Sequence, residues 1–431
     1  MTRMIKTISI LSVLLTAAAM LLVGCAQTTV SSGFDALENG NYPRALAYFE
    51  QALTQNPDDL RAKQGLGEVY FHQKDYSAAR ELFVQVRKAD PKYGRASLYL
   101  GLAYEEQNDL SGAAAVYESY LLYAEDSQLA NQIKGRLLYV RNQDLLRQVK
   151  EAIAFEKQQK PGVTTENSVG VLPFLPEDET SEMLKPLATG LAAAINYDLS
   201  QIGSIKVVER QKLRYLLDEL KLVEGGYTAE ESSPRLGRIV GAEHLVSGSV
   251  GSTGDEEISV NSGISDIATN SYSPALQQQE TMDHLLDLQK RITFAIIDSL
   301  GIQLTPEERN AIGKIPTTNF DAFLAYSRGI DALDRGDYDQ ALSLFDRATV
   351  LDPGFTQAVS LQQEARLLEI GSGSPEEFAA AAGAGLVDIE VVAPLPGEDI
   401  FQLDEPTEDP RATDPADAGE TGQATVGGRI R

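Results

Sequence analysis

Three consecutive segments of this chain repeat one residue pattern with a period of 34 positions. A glycine, an alanine twelve positions later and an aromatic ring four positions further on recur in each segment, as Gly33, Gly67 and Gly101, then Ala45, Ala79 and Ala113, then Phe49, Phe83 and Tyr117. Small residues let two antiparallel helices approach closely, and the ring fills the space between them. Because proline stops a helix, Pro57 and Pro91 each close a unit. The period predicts a stack of helix pairs.

The same spacing returns much later in the chain, in a fourth unit marked by Gly329, Ala341, Phe345 and Pro353. This pattern resembles the tetratricopeptide repeat, a family of helical solenoids that bind proteins or peptides. In that family the first helix of each pair, helix A, lines a concave face. Between the two groups of repeats, residues 127–160 carry apolar side chains at helical spacing, which predicts capping or linker helices.

The resemblance implies a partner-binding face on the second and third units. From their positions in the repeat, six residues are expected to line it: Arg61, Gln64, Glu68, Phe71, Arg95 and Leu98. The alternative interpretation is that these are ordinary solvated helix residues.

Between residues 161 and 314 the pattern changes to alternating strands and helices. Short apolar or alternating runs predict four strands, at 169–174, 205–208, 245–250 and 258–267. Helical spacing occupies the intervals between them and a last segment near 282–300, whereas the stretch 275–283 is polar and acidic and is assigned no strand. Alternation of this kind predicts an α/β domain, a mixed sheet with packed helices.

Three runs in this region carry a second resemblance: VGVLPF, KVVERQKLRYLLDELKL and LGRIVGAEHLVSGSVG. They look like the CsgG-type family of curli-secretion lipoproteins and the related TolB-like N-terminal modules, with residues 207–210 and 241–249 at the matching positions. Channels of that family insert amphipathic hairpins whose strands need roughly nine to eleven residues each. Only 251–273 offers such a hairpin, and it is rich in Ser, Gly, Asp and Asn. A pore made by this chain alone is therefore not expected.

The beginning of the chain predicts a lipid anchor. Arg3 and Lys6 precede an apolar run over 8–23, and the only cysteine, Cys25, follows Gly24. A basic start, an apolar core and a small-residue cleavage point make a signal peptide. A cysteine directly after that point resembles the lipobox of bacterial lipoproteins, whose thiol is acylated; Ala26 at the next position favours the outer membrane. The alternative is an ordinary signal peptide or an anchor helix with an incidental cysteine.

The composition argues against several kinds of chemistry. A formal charge of −26 opposes binding to nucleic acid through bulk charge. Three histidines lie far apart in the sequence and the sole cysteine is assigned to acylation, so we expect no catalytic residues, no metal site and no cofactor. The sequence predicts a protein that is not an enzyme.

Taken along the chain, the predicted parts are a lipoprotein signal peptide (1–24), three repeats (25–126), capping or linker helices (127–160), the CsgG-like α/β domain (161–314), a C-terminal repeat with a further helix (315–370) and a disordered acidic tail (371–431). The tail is rich in Ala, Gly, Pro and acids and cannot bury enough apolar surface to order itself. Its one apolar run, 385–392, is either a linker or a strand that adds to a partner's sheet.

The function predicted from these parts is a periplasmic scaffold, lipid-anchored in the outer membrane, that binds other envelope proteins through the repeat groove and acts in the assembly or secretion of extracellular structures. The alternative is a subunit of a curli-like secretion channel. Self-association into a homo-oligomer stays open, and nucleic acid is not an expected partner.

Overall fold

A computed structural model describes residues 29–124, 127–156, 164–178, 180–222, 229–252 and 257–383 of the chain. The predicted signal peptide at 1–24, Cys25 and the segment at 385–392 lie outside the described residues.

The N-terminal repeats form six helices within the described part: α1 (29–38), α2 (Tyr42–Gln55), α3 (Leu60–His72), α4 (Tyr76–Ala89), α5 (Gly94–Glu106) and α6 (Leu110–Leu121). Most of their starts are set by short acidic or amide side chains. Asp59, Asp75 and Asp109 each accept a hydrogen bond from a backbone N–H in the first turn of the helix that follows. Such caps satisfy donors that have no partner inside the helix.

The glycine and aromatic positions confirm the repeat pattern. A Cβ atom added to Gly67 would lie 2.7 Å from the Cε1 atom of Phe83, and one added to Gly329 would lie 2.6 Å from the same atom of Phe345. These distances are shorter than a carbon–carbon contact allows, so each ring packs against the bare backbone of its partner helix. The fourth repeat therefore uses the same helix crossing as the first three.

The predicted linker is one helix, α7 (Gln128–Glu156), of 29 residues. It is followed by a six-stranded mixed sheet built from β1 (Ser168–Val171), β2 (Leu175–Pro176), β3 (Lys206–Val207), β4 (His244–Ser252), β5 (Glu257–Asp266) and β6 (Ser271–Thr281). The strand order is β3-β1-β4-β5-β6, and β2 pairs with β4. Strands β1, β2 and β3 run parallel to their neighbours, whereas β4, β5 and β6 form antiparallel pairs.

The four strands expected from the sequence are present, but the expectation that 275–283 contains no strand was wrong. That stretch forms most of β6, the edge strand, which pairs with β5 along its whole length. Its residues SYSPALQQQET are largely exposed or half-buried, and Pro274 lies within it. An edge strand can carry proline and polar residues because only one of its sides is hydrogen-bonded.

Helices cover both faces of the sheet. Helices α8 (Leu184–Ser200) and α11 (Leu285–Ser299) pack on one face, while α9 (Arg210–Glu219) and α10 (Ala229–Val240) pack on the other. The first face continues into one large core that contains Val171, Val246 and Val260. The second has its own core, to which α7 contributes Val149. The short helix α12 (Pro306–Gly313) follows and packs against α8.

The C-terminal repeat docks on this domain. It consists of α13 (Phe320–Asp334) and α14 (Tyr338–Leu351), followed by α15 (Thr356–Gly371) and α16 (Pro375–Gly383). Helix α13 packs against α8, α15 packs against α7, and α16 packs against α5. The prediction of disorder from residue 371 was wrong for 375–383, which are helical; the rest of the tail lies outside the described residues.

Candidate partner-binding groove

The A helices α3 and α5 lie side by side and present one shared face, which we call the N-terminal groove. It is built from Arg61, Gln64, Glu68, His72, Arg95 and Tyr99. The crossings at Gly67 and Gly101 hold each A helix against its own B helix, so the opposite side of the A helices is left to face the groove.

The structure brings three of the six predicted residues, Gln64, Glu68 and Arg95, into one polar cluster. Arg95 donates two hydrogen bonds to the carboxylate of Glu68, at 2.6 Å from Nε and 2.8 Å from Nη2. The side-chain amide of Gln64 also donates to Glu68, and the Tyr93 hydroxyl donates to Gln64 at 3.3 Å. Burial raises the pKa of Tyr93, and the charge of Arg61 opposes that rise.

The two charges at the centre of the cluster, on Glu68 and Arg95, pair with each other. Glu68 is fully buried, and burial raises its pKa while the hydrogen bonds from Arg95 oppose that rise. The pKa of Arg95 is raised, first by its hydrogen bonds to Glu68, so the guanidinium stays charged. A partner therefore meets Arg95 as one half of an ion pair and not as a free cation.

Arg61 differs from Arg95 because its side chain is exposed and no carboxylate of the described residues is hydrogen-bonded to it. Its guanidinium lies 5.6 Å from the ring centre of Phe34 in α1. Cation–π contacts at exposed sites are weak, so the charge remains available to a ligand. Arg61 is the predicted residue whose position best fits partner binding.

Phe71 and Leu98 do not line an open surface in this structure, and their contact with a partner stays a prediction. Each is 1 % exposed. The ring of Phe71 packs edge-on against Tyr99 at 5.4 Å between centroids, so it joins α3 to α5. Leu98 lies on α5, the helix against which α16 packs. Phe71 thus helps to hold the two A helices together.

The part of the groove that stays open is a cavity of about 520 Å³. It is bounded by residues of α1, α2, α3, α5 and α16, among them Glu38, His72, Arg95 and Ala380. Burial lowers the pKa of His72, whose ring stacks on Tyr42 at 5.2 Å, while the nearby charge of Glu376 opposes the shift. The cavity combines apolar side chains with charges of both signs.

Sequence reasoning missed the fact that α16 lies against this groove. Lys74, which follows α3, forms an ion pair of 2.6 Å with Glu376, and the Tyr99 hydroxyl donates to the backbone carbonyl of Ala379 at 3.4 Å. The missed signal was the run Ser374-Pro-Glu-Glu377. Serine followed three positions later by glutamate, with proline between them, is a helix-start pattern.

The C-terminal repeat shows a different use of the same face. The positions that correspond to Arg61, Gln64, Glu68 and Phe71 are occupied by Phe323, Tyr326, Ile330 and Leu333. All four are buried, on the helix that packs against α8. A Cβ atom added to Gly190 of α8 would lie 1.9 Å from Oγ of Ser327, which shows how closely the two helices approach. In this repeat, the four A-helix positions are thus closed to a partner.

A partly buried ion pair joins the α/β domain to this repeat. Arg210, at the start of α9, approaches both carboxylate oxygens of Asp334 at 2.6 Å. Arg210 belongs to the run that carries the CsgG resemblance, and it connects the α/β domain to the C-terminal repeat. The charge of Asp334 raises the pKa of Arg210 against the opposing effect of burial.

Two further features bear on function. Among the described residues, no three histidine or acidic side chains lie together in a way that could hold a metal ion. Within the same residues, every helix is too short or too polar to cross a membrane.

Comparison with known proteins assigns both parts of the chain. A family model described as tetratricopeptide repeat matches residues 33–84, 75–130 and 326–386. A second, described as curli production assembly/transport component CsgG, matches residues 150–274. The chain therefore carries tetratricopeptide repeats and a CsgG-type domain, as the sequence predicted.

Individual proteins are similar to parts of this chain. The general transcriptional corepressor ssn6 of Schizosaccharomyces pombe is 31% identical over 83 residues, which make up 19% of this chain and 8% of that protein. This chain thus spans a small fraction of the length of that curated protein. A tetratricopeptide repeat protein from Parabacteroides merdae is 13% identical, covering 79% of this chain and 98% of its own, with a TM-score of 0.25. Yeast Tom70 is 17% identical, covering 81% and 67%, with a TM-score of 0.27.

Proposed function

We propose that this protein is a non-enzymatic scaffold, lipid-anchored in the bacterial outer membrane, that binds other envelope proteins in the periplasm and takes part in the assembly or secretion of extracellular structures. The observation that carries the proposal is the contrast between the repeats. The A helix of the C-terminal repeat is covered by α8. The N-terminal groove, in contrast, has an exposed cation, Arg61, and an open cavity of about 520 Å³.

The groove is tested with a matched pair of arginines. Arg61 and Arg44 are both exposed, and each lies over an aromatic ring, but Arg44 is on the B helix α2. In crosslinked cells, Arg61→Glu should reduce capture of the envelope partners, while Arg44→Glu should leave it unchanged. Equal capture by both variants would show that recognition lies elsewhere, and deletion of 161–314 would then test the α/β domain.

The anchor rests on the lipobox resemblance at Cys25. A single acyl chain gives only marginal membrane binding, whereas the several chains of a lipoprotein anchor hold stably. We expect Cys25→Ser to release the protein from the outer-membrane fraction or to leave the signal peptide uncleaved. A fully processed mutant that still partitions with the outer membrane would contradict the anchor.

The match to the CsgG family model favours a second candidate, a subunit of a curli-like secretion channel. Conductance measurements on purified acylated protein in planar bilayers distinguish the channel subunit from the scaffold. Stepwise, stable conductance would favour the channel subunit, and its absence together with partner capture through Arg61 would favour the scaffold.

A further inference from the structure

The helix α16 has two faces of opposite character. Phe378 and Ala379 are buried, whereas Glu376, Glu377 and Ala381 are exposed. Its two buried residues are adjacent in sequence and point into the protein beside α5, and its acidic first turn lies next to Lys74. This short segment thus has a defined docking pose.

The pose is held mainly by Arg136 of α7. Its Nη1 atom donates to the carbonyl oxygens of Gly371 and Gly373, at 2.7 and 2.8 Å, and its guanidinium lies 5.1 Å from the ring centre of Phe378. Arg136 is itself held by Glu105 of α5, at 2.7 Å. The turn before α16 and the aromatic anchor of α16 therefore both contact one side chain of α7.

Outside the groove, α16 would not be stable. It has nine residues, and isolated helices shorter than about twelve residues are marginal in water. Reciprocal hydrogen bonds between Ser374 and Glu377 cap its first turn, but this favours a helix without making it persist. The ion pair with Lys74 is exposed at both ends and orients the helix more than it stabilises it. Burial of Phe378 and Ala379 therefore decides whether α16 stays docked.

We propose that the N-terminal groove is a receptor for a short helix with an acidic first turn followed by Phe-Ala, and that α16 occupies it in cis until a partner segment of the same chemistry displaces it. This inference rests on the proposed partner-binding role of the groove and names the class of partner. Because only 372–374 separate α16 from α15, the effective concentration of α16 at the groove is on the order of millimolar. A partner must therefore bind more tightly than α16 does alone.

The test uses the full chain and a labelled synthetic peptide of residues 372–383. Ala379 and Ala381 lie two positions apart on α16, but only Ala379 is buried. Ala379→Asp places a carboxylate against the groove and should expel α16, whereas Ala381→Asp adds the same charge on the solvent side. Peptide binding to the wild type and to both variants is measured by fluorescence anisotropy.

We expect the Ala379→Asp chain to bind the peptide at least about tenfold more tightly than the wild type does, because the competing segment is gone. The Ala381→Asp chain should behave like the wild type. A peptide that itself carries Ala379→Asp should not bind any of the three chains. Equal binding to all chains, or no binding to the Ala379→Asp chain, would overturn the inference.

Two additions keep the test decisive. Phe378→Ala removes the aromatic anchor without adding charge and replaces Ala379→Asp if that chain does not fold. Capture of envelope partners by the opened chain is measured in parallel. Partner capture that depends on Arg61 without any peptide binding would overturn the assigned ligand chemistry while the scaffold proposal stands; loss of both would overturn the proposed function as well.

Discussion

The second and fourth repeats share one helix crossing, but their A helices present different surfaces. In both, a bare glycine receives an aromatic ring from the B helix, at Gly67 and Gly329. On the A helices, however, the residues at matching positions diverge. The second repeat has Arg61, Gln64, Glu68 and Phe71, and the fourth has Phe323, Tyr326, Ile330 and Leu333.

This difference shows that the repeat signature determines the helix pair, while the outward residues of helix A determine what the pair binds. Full burial of one large apolar side chain contributes about 1.5–3 kcal/mol, so an A face of four such residues packs permanently on another element. A face built on an ion pair and an exposed arginine gains little from permanent burial. The fourth repeat is thus part of the core, and the second offers a replaceable contact.

The largest effect on stability is expected when an apolar A-helix residue of the fourth repeat is replaced by the charged residue of the second. Ile330→Glu would place an unpaired carboxylate against α8, where Ile330 is fully buried. We expect the free energy of unfolding to fall by at least about 4 kcal/mol. Urea unfolding measures it, with Ile330→Leu as the control. A loss below 1.5 kcal/mol, about what a change of shape costs, would mean that the fourth repeat is not docked as described.

The second largest loss of stability is expected for Arg136→Leu. This arginine is 1 % exposed, and its loss leaves Glu105 buried without its cation. Burial already raises the pKa of Glu105, with Arg136 opposing the rise. We expect a loss of about 3–4 kcal/mol, and partial recovery in the double variant Arg136→Leu with Glu105→Met. Simple additivity of the two changes would argue against the pair.

Gly371→Ala tests how closely α15 and α7 approach. A Cβ atom at this position would lie 2.1 Å from the backbone oxygen of Gly135, which cannot move independently of its helix. Overpacking of this kind costs about 2 kcal/mol. Gly203→Ala is the matched control, because the nearest atom there is 3.8 Å away. Similar melting temperatures for the two variants would show that the helices can separate without loss.

The smallest effect is expected for the reverse exchange, Glu68→Ile. It removes the ion pair with Arg95, but the Arg95 side chain is 36 % exposed and can turn to water. The free energy of unfolding then falls only because Gln64 loses its hydrogen-bond acceptor, which costs about 1 kcal/mol. If urea unfolding shows a loss as large as that of Ile330→Glu, then the polar cluster of the second repeat is itself a structural core.

Much of the architecture could be predicted because its causes are local. Glycine and ring spacing determines each helix crossing, and period-two or continuous apolar runs mark β1, β4 and β5. The edge strand β6 was missed because Pro274 and its glutamines carry no such pattern. Its partner β5 supplies the hydrogen bonds that make it a strand.

The site was predicted less completely because it depends on distant parts of the chain. The face expected from the repeat brings Gln64, Glu68 and Arg95 into one hydrogen-bonded cluster. The burial of Phe71 and Leu98 was not foreseen, because it depends on Tyr99 and on packing around α5. The composition of 371–383 suggested disorder and hid the helix start at Ser374. The sequence already shows that the A helix of the fourth repeat has an apolar face, and this face would have predicted that the repeat packs on another element.

The central claim is that one repeat face is closed permanently and the other by a detachable helix. Native-state hydrogen exchange of the full chain compares the two directly. We expect backbone amides of α13 to exchange only through global unfolding, and those of α16 to exchange at least about a hundredfold faster through local opening. Equal protection of α13 and α16 would contradict the claim, because α16 would then be as much a part of the core as the fourth repeat.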